Sequence, residues 1–327
     1  MIDITTKYMG IQLNSPLIAS SSDFTSNLDS IVKLADAGCG AIVLKSIFEE
    51  QILMEIDSQR VNNMFDSYTD TENYISYYTR KHELDNYIRL IKDAKSQTKI
   101  PIIASIHCST AEGWTEFTKT IELAGADGIE INVFILPSDV NKTAVDIEKT
   151  YFSIVENVKK HTNLPIAVKL HYYFTDMARF MKNISTQVDA LVLFNRFFNP
   201  DIDIENEKVI SAGSFSQPED NYLIQRWVGI LRPHIKSNIA ANGGIHNGNA
   251  LIKNILAGAD VIQIASVLYK NGIDIISVMN NELISWMERK NYNKLSDFKG
   301  KLSYQKISNP SIYERAQFMK YYGDSVK

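Results

Sequence analysis

The chain reads as an α/β protein of the (β/α)8 class, a TIM barrel, and three observations carry that reading. Short apolar segments alternate with segments of helical period from about residue 16 to about residue 290. Strict alternation of this kind requires a parallel sheet with helices outside it. Eight such units can be counted, the number that closes a barrel. The turns richest in small residues, Gly243-Gly244 and Ala265-Ser266, follow the seventh and eighth apolar segments, where barrels commonly hold phosphate. A doubly wound open sheet would instead place its glycines after the first strand, and the turn there is Ser20-Ser21-Ser22-Asp23.

Each element can be justified in order. A polar N-terminal segment, read as a small hairpin closing the barrel bottom, precedes a strand over 16–20 and an amphipathic helix over 28–37 that Gly38 ends. A strand over 41–45 follows, and then the pattern breaks. No helical period is convincing from 46 to 80, and a long loop inside a compact domain is usually functional. That stretch is rich in Asn and Tyr, among them Asn62, Asn63, Tyr68 and Tyr74. The rhythm resumes with helices at 84–96, 114–124, 146–161 and 176–185 and strands at 102–105, 128–132, 166–169 and 190–194. A second long excursion, 195–221, precedes a helix over 222–235. Next come a strand over 239–242, a helix over 248–256, a strand over 261–265 and a closing helix over 273–290. The expected organisation is one domain spanning 1–327, with the barrel over about 16–290, long inserted loops after strands two and six, and a C-terminal extension over 291–327. The scattered aromatics of that extension (Phe298, Tyr304, Tyr313, Phe318, Tyr321 and Tyr322) suit packing on the outside or on a neighbouring subunit.

Composition narrows the function. With 327 residues and 45% hydrophobic content the chain can bury a substantial core. A net charge of −4 with scattered Lys and Arg points to no nucleic-acid partner and no anionic membrane surface. No apolar run approaches the roughly 20 residues of a spanning helix, so a cytoplasmic protein is expected. The cysteines, Cys39 and Cys108, are far apart, which leaves no disulfide framework and no CxxC metal pair. His107, His161, His171 and His246 share no helix face, so each reads as a surface or turn residue rather than a metal ligand.

In a barrel the C-terminal strand ends meet on one face, so their polar residues belong together: Ser20, Lys45-Ser46, Ser105, Asn132, Lys169, Asn195, Gly243-Gly244 and Ala265-Ser266. Lys45 and Lys169 each end an otherwise apolar strand, where an ammonium without an anion is costly. Either both reach solvent at the rim, with Lys169 pairing with inward-facing Glu130, or they hold an anionic or electron-rich ligand; two lysines beside two strand-end asparagines favour the ligand. The small-residue turns present bare N–H groups suited to phosphate.

Taken together, these residues resemble the dihydroorotate dehydrogenase family of FMN-dependent (β/α)8 barrels over nearly the whole chain. The run GIQLNSPLIASS resembles the family's entry into strand one, which puts Ala19, Ser20 and Ser21 at the flavin, with Ser21 in place of the usual glycine. The resemblance further implies that Lys45 and Ser46 lie at the flavin site, that Asn62-Asn63-Met64 is the substrate loop, and that Glu130-Ile131-Asn132 belongs to the fourth unit. Within PIAVKL, Lys169 corresponds to the second flavin lysine; Asn195 corresponds to a substrate asparagine, and Gly243, Gly244, Ala265 and Ser266 to the phosphate site. It implies FMN as cofactor, a dihydroorotate-like substrate oriented by Asn62, Asn132 and Asn195, a soluble electron acceptor, pyrimidine biosynthesis and a homodimer.

One departure stands out. After the strand-four asparagine the family carries a Cys or Ser followed by Pro, which removes a substrate proton. Here the run is Asn132-Val133-Phe134-Ile135-Leu136-Pro137-Ser138, in which no residue before the proline can act as a base. Ser138, past the proline, and Cys108, on a different loop, are the stand-ins the sequence offers. Two other readings stay open: a flavin-free barrel isomerase or lyase using the same phosphate site, and a flavin-binding homologue without dehydrogenase activity.

Overall fold

The computed structural model describes residues 2–49, 69–108 and 111–315, of which 69–82 and 111–112 are described as backbone only. The chain opens with an antiparallel hairpin, β1 (Thr6–Tyr8) and β2 (Ile11–Leu13), turned through Met9 and Gly10 with φ of 53° and 78°. Positive φ at both turn positions gives a twist that matches the flanking strands. Tyr8, Met9 and Leu13 then plug the barrel floor, packing on Ile18, Val43, Ile103, Val192 and Val261.

Strands β3 (Leu17–Ala19), β4 (Ala41–Val43), β5 (Ile47–Phe48), β6 (Ile102–His107), β7 (Gly128–Asn132), β8 (Ile166–Leu170) and β9 (Ala190–Leu193) follow in order. Beyond a surface hairpin of β10 (Pro200–Asp203) and β11 (Lys208–Ser211) come β12 (Asn238–Asn242) and β13 (Val261–Ile264). All barrel pairings are parallel, and β13 returns to β3 while β4 pairs with β6, so eight strands close a cylinder and β5 adds a short outer pairing on β6. Outside lie α1 (Leu28–Asp36), α2 (Thr69–Gln97), α3 (Ala111–Ala124), α4 (Ala144–Lys159), α5 (Met177–Ile184), α6 (Asp220–Leu231) and α7 (Gly248–Ala257). A short α8 (Ser266–Asn271), then α9 (Ile275–Arg289) and α10 (Ser311–Glu314), complete the described helices. Local signals set several starts: Asn27 and Asn247 accept the Ser30 and Ala250 N–H groups, and Thr143 with Asp146 forms a capping box.

Two stretches differ from the sequence reading. Helix α2 begins at Thr69, not near residue 84, so the expected featureless stretch 46–80 contains β5 and the first turns of α2. Its polar first half has no apolar stripe for periodicity to detect, and once Leu84, Tyr87, Ile91 and Ala94 are buried on the barrel, extending the helix needs no new nucleus. Residues 62–64, proposed as a substrate loop, lie outside the described residues, as does Tyr68. The excursion 195–221 holds the hairpin β10–β11, whose strands are too short and too exposed to show a buried face. At the other end, Phe298 is buried and Lys299 reaches Asp260 under the barrel, so the C-terminal segment packs on the outside as far as Arg315; Phe318, Tyr321 and Tyr322 lie beyond the described residues.

Candidate functional site at the barrel mouth

Strand side chains alternate between the barrel interior and the helix layer, and the interior rows change from apolar at the floor to polar toward the mouth. Glu130 of β7 and Gln263 of β13 are not on neighbouring strands, yet Gln263 Nε2 donates to Glu130 Oε2 at 2.6 Å, across the interior. Lys169 Nζ joins them, 3.0 Å from Ser20 Oγ, 3.3 Å from Glu130 Oε1 and 3.4 Å from Gln263 Oε1. The Lys169 and Glu130 side chains are 6% and 1% exposed. A buried pair this dry is tolerable only because Ser20 and Gln263 supply further hydrogen bonds.

A second network lies along the rim. Ser46 Oγ is 3.1 Å from Ser21 Oγ and 2.7 Å from Ser105 Oγ; Asn132 Nδ2 donates to Ser46 Oγ at 3.5 Å, and Asn195 Nδ2 donates to Asn132 Oδ1 at 2.7 Å. Tyr87 of α2 ties in the same strand by accepting the Ser105 N–H at 2.9 Å. The polar ends of β3, β4, β6, β7 and β9 thus form one connected surface. Asn132 and Asn195 stand side by side, as paired recognition of an amide or carboxylate requires.

Lys45 lies on the same face but outside this network. Its Nζ is 2.6 Å from Asp23 Oδ1, and the two side chains are 52% and 67% exposed. Each lysine therefore has its own carboxylate: Lys169 makes the pair with Glu130 that the sequence offered as one alternative, and Lys45 is paired with Asp23 at the exposed rim. The Lys45 ammonium in turn holds the Asp23 carboxyl below its usual range.

At the ends of β12 and β13, Gly243 and Gly244 have φ of 110° and 65°, a conformation open to glycine at little cost. A side chain on Gly244 would run into the Asn221 amide nitrogen and the Gln217 carbonyl, so part of the glycine requirement is packing of the turn before α6. Among the described residues no turn or loop hydrogen bond uses the N–H of Gly243, Gly244 or Ser266, whereas Ser266 Oγ accepts the Ser216 N–H at 2.9 Å. Lys270 Nζ closes over this region, donating to the Ser216 carbonyl at 3.0 Å, with His246 3.3 Å from Ser216 Oγ. Burial, then the Lys270 charge, lowers the His246 pKa. Unspent amides on a glycine cradle, a nearby ammonium and a polar mouth fit a phosphate-bearing flat cofactor such as a flavin.

Two further residues at the mouth escaped the sequence reading. His107 and His171 are buried, not surface or turn residues. His171 Nε2 donates to the Ile135 carbonyl at 2.7 Å while its Nδ1 accepts the Tyr173 N–H at 2.7 Å. Burial brings its pKa down to about 4, and its ring stacks on Phe174 with centroids 4.9 Å apart. It clamps the loop after β7 to the end of β8. Period-two spacing with Lys169 would have placed His171 on the interior row, as spacing with Ser105 would have placed His107. The candidate bases contrast: Ser138 is exposed on the loop after β7, and Cys108 is buried just past β6.

No described helix is long and apolar enough to cross a membrane, and among the described residues no group of His, Cys, Asp or Glu is placed to hold a metal ion. The family model for dihydroorotate dehydrogenase matches residues 3–287. The chain is 26% identical to the catalytic subunit of dihydroorotate dehydrogenase B (NAD(+)) from Thermoplasma volcanium, over 92% of this chain and 98% of that relative. It is 24% identical to the counterpart from Methanocaldococcus jannaschii over 88% and 94%, and 26% identical to the dihydroorotate dehydrogenase (fumarate) of Saccharomyces cerevisiae over 92% and 98%. With the closed barrel, the polar mouth and a family match that runs from the first hairpin into α9, this chain belongs to the dihydroorotate dehydrogenase family.

Proposed function

We propose that the protein is an FMN-dependent oxidoreductase of the dihydroorotate dehydrogenase type, oxidising a CH–CH bond of dihydroorotate or a related dihydropyrimidine in pyrimidine biosynthesis. The single observation that carries this reading is the continuous polar surface from Ser20 and Ser21 through Ser46, Ser105, Asn132 and Asn195, set above the buried Lys169 and beside the glycine cradle. The family is flavin-dependent, and a bound flavin supplies a hydride acceptor. In this reading the amides of Gly243, Gly244, Ala265 and Ser266 hold the phosphate. Ala19, Ser20, Ser21, Lys45, Ser46 and Asn132 line the cofactor, and Lys169 stabilises negative charge that builds on reduction. Asn132 and Asn195, with Asn62 from the loop outside the described residues, orient the planar substrate. Electrons leave to a soluble acceptor; NAD(+) and fumarate are the two the relatives' names give. A homodimer in the cytoplasm completes the proposal.

The test is anaerobic mixing of the purified protein with a panel of dihydropyrimidines while the flavin absorbance is followed. Bleaching by dihydroorotate or a close relative is expected, and release of FMN on denaturation identifies the cofactor. Ser138→Ala and Cys108→Ala variants measured alongside report on the two bases proposed from sequence. Colourless protein that releases no FMN would favour a phosphate-binding isomerase or lyase. Yellow protein that no substrate bleaches would favour a flavin-binding homologue without dehydrogenase activity, a reading that Leu136 in the base position keeps in play.

A further inference from the structure

The loop after β7 offers no proton acceptor before Pro137, and the mouth supplies one from the neighbouring strand. His107 is the last residue of β6, buried, with Nδ1 2.7 Å from the Asn132 carbonyl oxygen. A carbonyl only accepts, so Nδ1 carries the hydrogen and the neutral ring keeps its lone pair on Nε2. Among the described residues Nε2 has no hydrogen-bond partner. The ring lies against Phe48 and Phe134, with centroids 5.4 Å away in both cases, and Phe134 belongs to the loop that lacks the family's base. Among the described residues, His171, Glu130 and Asp23 on this face are each committed to partners of their own. Both nitrogens of His171 are used, Glu130 is bound by Lys169 and Gln263, and Asp23 is bound by Lys45.

We infer that His107 Nε2 is the proton acceptor of the dehydrogenation, in place of the Cys or Ser on the loop after β7. The assignment rests on the dehydrogenase reading above. Nε2 takes the proton from one ring carbon of the substrate as the adjacent carbon loses a hydride to the flavin and the C=C bond forms. The substrate is oxidised, the flavin is reduced, and the imidazolium returns its proton to solvent. The Nδ1–H bond to Asn132 couples the base to the residue that orients the substrate, so the ring is held in one tautomer.

The test uses the flavin-loaded protein and three variants. His107→Asn keeps a donor toward the Asn132 carbonyl and removes Nε2; its flavin content is expected to match the parent while anaerobic flavin reduction slows by about 10²–10⁴-fold, the usual contribution of a positioned base. His107→Ala is expected to be equally slow and to regain rate with added imidazole, which a packing role would not explain. His107→Gln serves should either of these fail to fold. Independently of turnover, nitrogen-15 NMR of the imidazoles in alkaline buffer is expected to show the Nδ1–H tautomer at His107. An Nε2–H tautomer, or reduction in His107→Asn within about twofold of the parent, would overturn the assignment alone. Failure of every dihydropyrimidine to bleach the parent protein would overturn the dehydrogenase reading, and the assignment with it.

Discussion

Glu130 is the residue on which the interior depends. Its two carboxylate oxygens are shared between Lys169 and Gln263 with almost no contact with water. Removing one partner of such a pair strands the other as a buried charge, at a cost of about 3–5 kcal/mol, whereas replacing both by well-packed apolar residues is often neutral. Glu130→Leu is therefore expected to lower stability by that amount in urea titrations, and Glu130→Leu with Lys169→Met to recover most of it while removing the ammonium proposed above to stabilise the reduced cofactor. The stability recovery and the loss of cofactor-linked chemistry should separate cleanly, since only the second depends on the ammonium itself.

At the scale of elements, the clamp that His171 makes between the end of β8 and the loop after β7 works only with a neutral ring, one nitrogen donating to Ile135 and the other accepting from Tyr173. Burial holds its pKa near about 4, below the ordinary 6.5. Above pH 6.5 the ring is neutral whether the chain is folded or not, and its contribution is complete. As pH falls from 6.5 toward 4 the unfolded chain takes up a proton that the folded one refuses, and stability declines by about 1.4 kcal/mol per pH unit from this residue. Urea midpoints at pH 7.5 and pH 5 are expected to fall further for the parent than for His171→Leu, which loses the clamp at both values but lacks this titration. The turn between β12 and α7 is constrained differently: Gly244 is fixed by its positive φ and by the backbone of residues 217–221 pressed against it.

Across the whole molecule, the two ends of the barrel divide the work. The mouth carries the polar networks, and the floor is closed by the N-terminal hairpin and tied to the C-terminal segment through Asp260. That carboxylate is 3% exposed in its side chain; it accepts from Arg232 Nη1 at 2.9 Å, Lys299 Nζ at 2.6 Å and the Ile239 N–H at 2.8 Å. Conserving the mouth while loosening the floor is thus possible in one substitution. Asp260→Ala leaves the Ile239 N–H and Lys299 without this partner, while Arg232 keeps its bonds to the Ile235 and Ser237 carbonyls, and is expected to cost about 1–3 kcal/mol in thermal or urea unfolding, with flavin content and the rate of flavin reduction unchanged where the protein remains folded, because function in barrels resides at the other face.

By itself the sequence determined the barrel, the order of its strands and which side chains end them. These follow from hydrophobic period and from glycine position, which are local properties that survive in one dimension. Ser46, Asn132, Lys169 and Asn195 were legible as strand-end residues for that reason. The tertiary structure alone decided how their charges and hydrogen bonds are satisfied. Glu130 meets Gln263 across 133 positions of chain, Lys45 turns outward to Asp23, and His107 and His171 turn inward from positions that looked like turns. Partnership across a closed sheet depends on which strands face one another and how far each side chain reaches, and neither is written in the spacing of residues along the chain.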